Sequence, residues 1–359
     1  MKSFFRKNID NMDGYTPGEQ PKNINLIKLN TNENPYPPSP DVALILREIS
    51  PESFRLYPNP TADLLRNKIA EIFCLKIENI ITGNGSDDIL TIILRSFVNE
   101  KENIVCFEPT YSLYPVLAQI ENSKTKTIKL TDNFEIPDIF FEDEFPKLCS
   151  DRNNKVFFIA RPNAPTGNSF NINKIKKICS LFRGVVVIDE AYVDFADESC
   201  IKLINEFDNV IVTRTLSKSY SLAGIRLGWA MANKNLIAGM MKVKDSYNVN
   251  TITQKLAIAA INDQDYLKTN IAKIIKTRKY LTEKLSELGF KTINSQSNFI
   301  FTSPPKKNAK DLFDYLRKNN VLVRYFSNGI TKNYLRISIG TDHEIQLLIG
   351  LCKDFLSLT

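Results

Sequence analysis

Histidine is almost missing from the chain: His343 is the single one in 359 residues. That scarcity nearly excludes chemistry built on histidine bases or histidine metal ligands. No run of about 18 apolar residues occurs, so no transmembrane helix is expected. The opening stretch MKSFFRKNIDNMDGY turns polar almost at once and offers no apolar core for a signal peptide, which makes the cytoplasm the expected location. Close cysteine pairs are lacking too. Cys74, Cys106, Cys149, Cys179, Cys200 and Cys352 are scattered, against both a zinc site and a disulfide framework. No internal repeat or low-complexity segment is visible.

What is present has the balance of a globular protein, with 43% hydrophobic and 24% charged residues. The net charge of +7 is spread along helical segments such as Asn173–Ser180 and Ile271–Leu285 rather than gathered into one arm. Neither a nucleic-acid nor a membrane partner is therefore expected, and a mildly basic enzyme acting on anions fits the charge.

Residues 1–40, rich in Asn, Pro and Gly, predict an extended arm. Ala62–Phe73 has apolar residues at helical spacing. Short apolar runs then alternate with amphipathic segments: Ile104–Phe107, Lys126–Leu130, Val156–Ile159, Val185–Ile188, Val210–Thr213 and Leu227–Met231. They predict strands buried on both faces of a mainly parallel sheet, hence an α/β domain over residues 41–255. Beyond about residue 250 the pattern becomes α+β. A long helix over Asp265–Leu288 is closed by Gly289, and strands and helices alternate to the C-terminus, which predicts a smaller domain over residues 256–359.

Ligands of such sheets bind in loops beyond the carboxyl ends of strands, and five loops there carry unusual residues. In Thr213-Arg-Thr-Leu-Ser-Lys-Ser-Tyr-Ser-Leu-Ala-Gly-Ile-Arg226, a strand delivers Lys218 into a hydroxyl-rich loop. A lysine amine condenses with aldehydes, and Thr215, Ser217 and Arg226 are donors suited to a phosphate. Taken alone, Lys218 reads more readily as a surface lysine in a polar turn; a second segment that fits the same chemistry competes with that reading. Val185-Val-Val-Ile-Asp189 ends an apolar strand in a carboxylate that needs a cationic or donor partner, or else caps a helix. Tyr192 follows three residues on. Ala160-Arg-Pro-Asn-Ala-Pro-Thr-Gly167 is a loop stiffened by two prolines, holding Asn163. Thr82-Gly-Asn-Gly-Ser-Asp-Asp-Ile89 runs glycines into a helix start, an anion cradle that is not the P-loop pattern. Glu108-Pro-Thr-Tyr-Ser-Leu-Tyr114 offers Tyr111 for stacking on a cofactor ring or for ordinary core packing.

With these five loops the chain resembles the fold-type-I enzymes of pyridoxal 5′-phosphate (PLP), the aspartate aminotransferase superfamily. Gly14-Tyr-Thr-Pro-Gly-Glu-Gln-Pro21, Leu29-Asn-Thr-Asn-Glu-Asn-Pro-Tyr36, Tyr57-Pro-Asn-Pro60 and Leu335-Arg-Ile-Ser-Ile-Gly-Thr341 narrow the resemblance to the class-II histidinol-phosphate aminotransferases. The resemblance implies that Lys218 is the cofactor lysine and proton shuttle, and that Asp189 pairs with the pyridine nitrogen. It implies that Asn163 and Tyr192 bond the phenolic oxygen and that Tyr111 stacks on the ring. Ser86 and Asp87, mainly through backbone N–H, would hold the phosphate together with Ser217 and Arg226. Tyr57 would reach the phosphate in a neighbouring subunit, which implies a homodimer with shared sites. Arg336, helped by Arg324 and Tyr15, would receive the anionic group of an amino donor and of a 2-oxo acid. The implied reaction joins L-histidinol phosphate and 2-oxoglutarate; aromatic amino acid transamination and threonine-phosphate decarboxylation are the alternatives. Tyr325-Phe-Ser-Asn-Gly329 departs from the family pattern and puts selectivity in doubt.

Overall fold

The computed structural model describes residues 3–21 and 26–358. Thirteen strands are present among them. β1 (Ile27–Lys28) lies in the arm. β2 (Ile80–Gly83), β3 (Asn103–Glu108), β4 (Lys124–Lys129), β5 (Asn154–Ala160), β6 (Val185–Asp189), β7 (Val210–Thr215) and β8 (Gly228–Ala232) build a seven-stranded sheet. β9 (Lys291–Thr292), β10 (Phe299–Ser303), β11 (Val321–Leu322), β12 (Arg324–Tyr325) and β13 (Leu335–Ser338) follow.

The large sheet runs in the order β2-β8-β7-β6-β5-β3-β4. β8 is antiparallel to both its neighbours and the other pairs are parallel. Alternating side chains enter two separate cores, as strand geometry requires. Val210 and Val212 of β7 face one core and Ile211 the other; Phe157 and Ile159 of β5 face the first, Val156 and Phe158 the second. Helices cover both faces, which is why these strands read as continuous apolar runs. β4 corrects that expectation. It is an edge strand with exposed lysines, and only Ile128 is buried. Edge position removes one partner strand, and lysine there discourages further pairing.

A third core gathers Ile274, Leu281 and Leu285 of the long helix Gln264–Glu287 with Ile300, Leu312, Leu335 and Ile345. Gly289, at φ +84°, follows that helix in the left-handed region, as glycine readily does. β9, β10, β13 and β12 form an antiparallel sheet over this core. The stretch Val321–Tyr325 holds two short strands: β11 pairs in parallel with β1 of the arm, while β12 joins β13. The arm thus contributes structure as well as reach. Its Leu29 is buried in the third core, and a short helix, Lys7–Asp10, precedes it.

Asn32 ties these parts together. Its backbone N–H donates to Ser338 Oγ at 2.8 Å, its Nδ2 donates to Tyr192 Oη at 2.9 Å, and its carbonyl accepts from Asn298 Nδ2 at 2.9 Å. It does so at φ +57°, a conformation asparagine tolerates better than most residues. Asn32→Ala is expected to lower the unfolding free energy by about 2 kcal/mol or more, because it strands Tyr192 and keeps a Cβ in the left-handed region. Asn32→Gly relieves the backbone part and should lose about 1 kcal/mol less. Urea unfolding of the three chains measures both; equal stability of all three would contradict the tie.

Candidate active site

Three neighbouring parallel strands end side by side. Ala160 of β5 pairs with Asp189 of β6, which pairs with Thr213 of β7. Their following loops carry Asn163, Tyr192 and Lys218, so strand register alone brings together the ring-facing residues that the sequence nominated.

Asp189 is buried and accepts hydrogen bonds from Tyr114 Oη at 2.7 Å, Thr213 Oγ1 at 3.2 Å and the Ala191 N–H at 3.2 Å. Burial raises the pKa of its carboxyl above the ordinary value, against the pull of these donors. All three donors are neutral, and no lysine or arginine forms an ion pair with Asp189 among the described residues. A cationic ring nitrogen supplies the charge complement that this donor set does not. Tyr114 is a partner that sequence reasoning missed. It sits three residues after Tyr111, its N–H donates to the Tyr111 carbonyl at 3.3 Å, and the rings meet edge to face at 5.5 Å.

Lys218 is half-buried in the loop after β7. Its Nζ donates to the Thr31 carbonyl at 3.4 Å and lies 5.5 Å from the centroid of the Tyr192 ring. Asn34, also unassigned by the sequence reading, clamps the loop by donating to the carbonyls of Lys218 at 3.2 Å and Ser219 at 3.0 Å. Tyr192 packs edge to face on Phe299 at 5.1 Å, and its hydroxyl accepts from Asn32. Asn163 is fully buried and donates to the Pro109 carbonyl and to Thr166 Oγ1. Tyr111 lies beside Tyr15 at 6.1 Å.

An anion cradle forms where β2, β8 and β7 converge. Gly228 of β8 pairs with Gly83 of β2 and with Thr215 of β7. The helix Ser86–Phe97 starts here, and its N-cap, Gly85, provides no side-chain cap, which leaves the first-turn N–H groups for a ligand. A Cβ on Gly228 would stand 2.4 Å from the Ser86 nitrogen, and one on Gly85 would stand 2.4 Å from Arg226 Nη2. Glycine at both positions keeps this backbone open. Arg226 Nη2 pairs with Asp87 Oδ2 at 3.3 Å and its Nη1 reaches Ser217 Oγ at 3.5 Å. Thr215 Oγ1 accepts from the Ser217 N–H and so shapes the turn. These groups fit the phosphate of PLP, and Asp189 and Lys218 fit its ring nitrogen and aldehyde, whereas the Asn163 amide is already engaged by Pro109 and Thr166.

A candidate for a second anion site lies on the small sheet. Arg324 and Arg336 are direct cross-strand partners, so both side chains stand on one face. Neither has a carboxylate partner among the described residues. Arg336 Nη2 donates to the Asn30 carbonyl at 3.0 Å, yet its buried Nε has no hydrogen-bond partner. Burial lowers the Arg336 pKa below its ordinary value. Arg324 donates to the carbonyls of Thr16 and Pro17, beside Tyr15. Phe326 lies 5.5 Å from the Arg336 guanidinium and 5.6 Å from that of Arg324, so the divergent loop sits on both.

Tyr57 stands apart from all of these. It is 80% exposed and stacks on Tyr247 at 4.5 Å, next to the exposed Phe54 and Leu56.

The raised pKa of Asp189 has a thermodynamic consequence. The unfolded carboxyl ionises at its ordinary value while the buried one resists, so this group's contribution to stability falls as pH rises through that interval. At neutral pH without cofactor, Asp189→Asn is therefore expected to melt no lower than the native chain. Adding PLP should reverse the order, because only the native carboxylate pairs with a pyridinium. Melting curves with and without PLP test this; an equal cofactor-induced gain in both chains would remove Asp189 from the site.

The sequence matches the family Aminotransferase class I and II over residues 24–350. It is 42% identical to the histidinol-phosphate aminotransferase of Microcystis aeruginosa over 95% of both chains, and 41% identical to that of Clostridium botulinum over 99% of both. Among solved structures, the histidinol-phosphate aminotransferase of Sinorhizobium meliloti, in complex with pyridoxal-5′-phosphate, superposes with a TM-score of 0.87 over 99% of both chains at 23% identity. The N-succinyldiaminopimelate aminotransferase of Mycobacterium tuberculosis shares the fold at a TM-score of 0.79, over 91% of this chain and 93% of that one, with 18% identity. The chain belongs to the class I and II aminotransferases, in the family of the histidinol-phosphate aminotransferases.

Proposed function

We propose that this protein transfers the amino group of L-histidinol phosphate to 2-oxoglutarate, giving imidazole acetol phosphate and glutamate, with PLP as cofactor. The observation that carries the reading is the Arg324–Arg336 pair. Two like charges directly across a ladder repel each other, and with no carboxylate beside them they suit a shared anion. The guanidinium fork bonds both phosphate and carboxylate, and one pocket must take phosphate from the donor and carboxylate from the acceptor.

PLP, when bound, supplies an aldehyde that condenses with amines and a ring that withdraws electrons from the reacting carbon. Lys218 holds the cofactor and, when its amine is free, takes the α-proton and returns it. Asp189 would hold a negative charge for the ring nitrogen, with Tyr114 and Thr213 keeping Asp189 oriented. Asn163 and Tyr192 would serve the phenolic oxygen, and Tyr111 would stack on the ring. Ser86, Asp87, Thr215, Ser217 and Arg226 would hold the phosphate. Tyr15 and Arg324 assist Arg336 in holding the substrate anion.

The reading places the enzyme in the cytoplasm as a symmetric homodimer. The arm 1–40, a large domain 41–255 and a small domain 256–359 divide the labour, with Tyr57 acting in the partner's site. The exposed Phe54, Leu56 and Tyr57 support such an interface. No helix is long and apolar enough to cross a membrane among the described residues.

Arg336→Ala should lower kcat/KM in both half-reactions by about tenfold to a hundredfold, the range of a charged hydrogen bond. Arg324→Ala should harm histidinol phosphate more than 2-oxoglutarate. Comparison of kcat/KM for histidinol phosphate, phenylalanine, tyrosine and threonine phosphate, with carbon dioxide monitored, tests the assignment. Preference for an aromatic amino acid, or carbon dioxide from threonine phosphate, would overturn it.

The dimer is tested separately. Inactive Lys218→Ala and Tyr57→Ala chains, unfolded and refolded together, should regain activity by forming one intact site per mixed dimer. An active monomer in sedimentation would refute the shared site.

A further inference from the structure

Behind the Asp189 face of the sheet lies a layer of ion pairs bridged by hydroxyls. Asp189 and Thr213 are register partners facing the Tyr114 core. Their successors Glu190 and Arg214 point, by strand alternation, to the opposite core. There Arg214 Nε and Nη2 donate to Glu190 Oε2 at 3.2 and 2.9 Å, and Nη1 donates to Asp194 Oδ1 at 2.9 Å. Nη2 also donates to Ser199 Oγ at 2.9 Å, and Glu190 Oε1 accepts from the Cys200 N–H. The other oxygen of Asp194 accepts from Ser219 Oγ. Glu190 is 1% exposed, Arg214 8% and Ser219 3%. The Arg214 guanidinium packs 4.9 Å from the Phe73 ring centroid.

The ends of this chain of bonds are the point. Glu190 is bonded covalently to Asp189, and Ser219 to Lys218. Burying the Glu190–Arg214 pair, with Asp194 at its partly exposed edge, costs more than an apolar layer of equal volume would, so stability alone is a poor reason for it. A two-pronged guanidinium fixes geometry between two carboxylates in a way that apolar packing does not.

We propose that Arg214, Asp194 and Ser219 are positioning residues that hold the Lys218 loop in fixed register to Asp189. This rests on the reading of Lys218 and Asp189 as the cofactor lysine and its ring-nitrogen partner. None of the three touches the cofactor or the substrate. They act through the backbone on either side.

Ser219→Ala removes one hydroxyl and keeps the ion pairs, and it is the variant least liable to misfold. Arg214→Lys keeps the charge but cannot span both carboxylates. Ser219→Thr restores the hydroxyl. In the PLP-loaded enzyme, three quantities are read: the visible circular dichroism of the bound cofactor, its release rate on dilution, and kcat against donor KM. Ser219→Ala should change the dichroism band, speed release by about tenfold or more, and lower kcat by about fivefold with donor KM within about twofold of native. Ser219→Thr should return all three towards native values, and Arg214→Lys should exceed Ser219→Ala in the same direction. Should Arg214→Lys fail to fold, Ser219→Ala and its rescue decide alone. A purely structural role would lower the melting temperature and leave dichroism, release and kcat native. That result, or a change that Ser219→Thr does not rescue, overturns the proposal. The native chain's own visible band reports on the Lys218 reading, so failure there is distinguishable from failure of the network.

Discussion

A carboxylate buried at the end of a central strand is the constraint around which the structure is organised. Asp189 is held by a phenol, a hydroxyl and one backbone N–H, and burial resists its ionisation. Such a group opposes the stability of the bare fold and becomes favourable once a cation sits beside it. The neighbouring strands follow from that placement. β7 brings Thr213 against Asp189 and then delivers Lys218 within five residues, while β5 supplies the Asn163 loop on the other flank. The site is the common edge of three parallel strands, and the covering helices exist to bury the sheet that sets this register.

The two candidate anion sites differ in how they are built. The cradle at Gly85 and Gly228 relies on backbone, a helix start and one partly exposed arginine, an arrangement suited to a phosphate that stays. The arginine pair on β12 and β13 relies on two long side chains joined to the arm and to Phe326, an arrangement suited to anions that come and go. The arm links the two. Asn30 meets Arg336, Asn32 meets Tyr192, and Asn34 meets the lysine loop.

Much of this was legible in the sequence because loops after apolar runs carry their chemistry openly. Lys218, Asp189, Asn163, Arg226 and the Gly-rich helix start are conspicuous as residue types in unusual company, and the α/β architecture follows from strand-length apolar runs. What escaped was whatever depends on a partner distant in sequence. Tyr114 drew no role because its contact with Asp189 spans 75 residues. Asn32 and Asn34 lay inside a conspicuous motif, yet nothing local says that their amides meet Tyr192 and Lys218. The split of Val321–Tyr325 between two sheets depends on the arm returning to pair with it. Arg214 sits within the lysine motif and drew no role, since strand alternation does not show what waits on the rear face.

The central claim joins one lysine to one donor. Borohydride reduction of the PLP-loaded enzyme, followed by peptide mass mapping before and after addition of L-histidinol phosphate alone, tests both together. The account predicts a phosphopyridoxyl label on Lys218 before the donor and its loss afterwards, as the cofactor leaves the lysine in the amine form. A label on another lysine, or a Lys218 label that histidinol phosphate leaves unchanged, would contradict it.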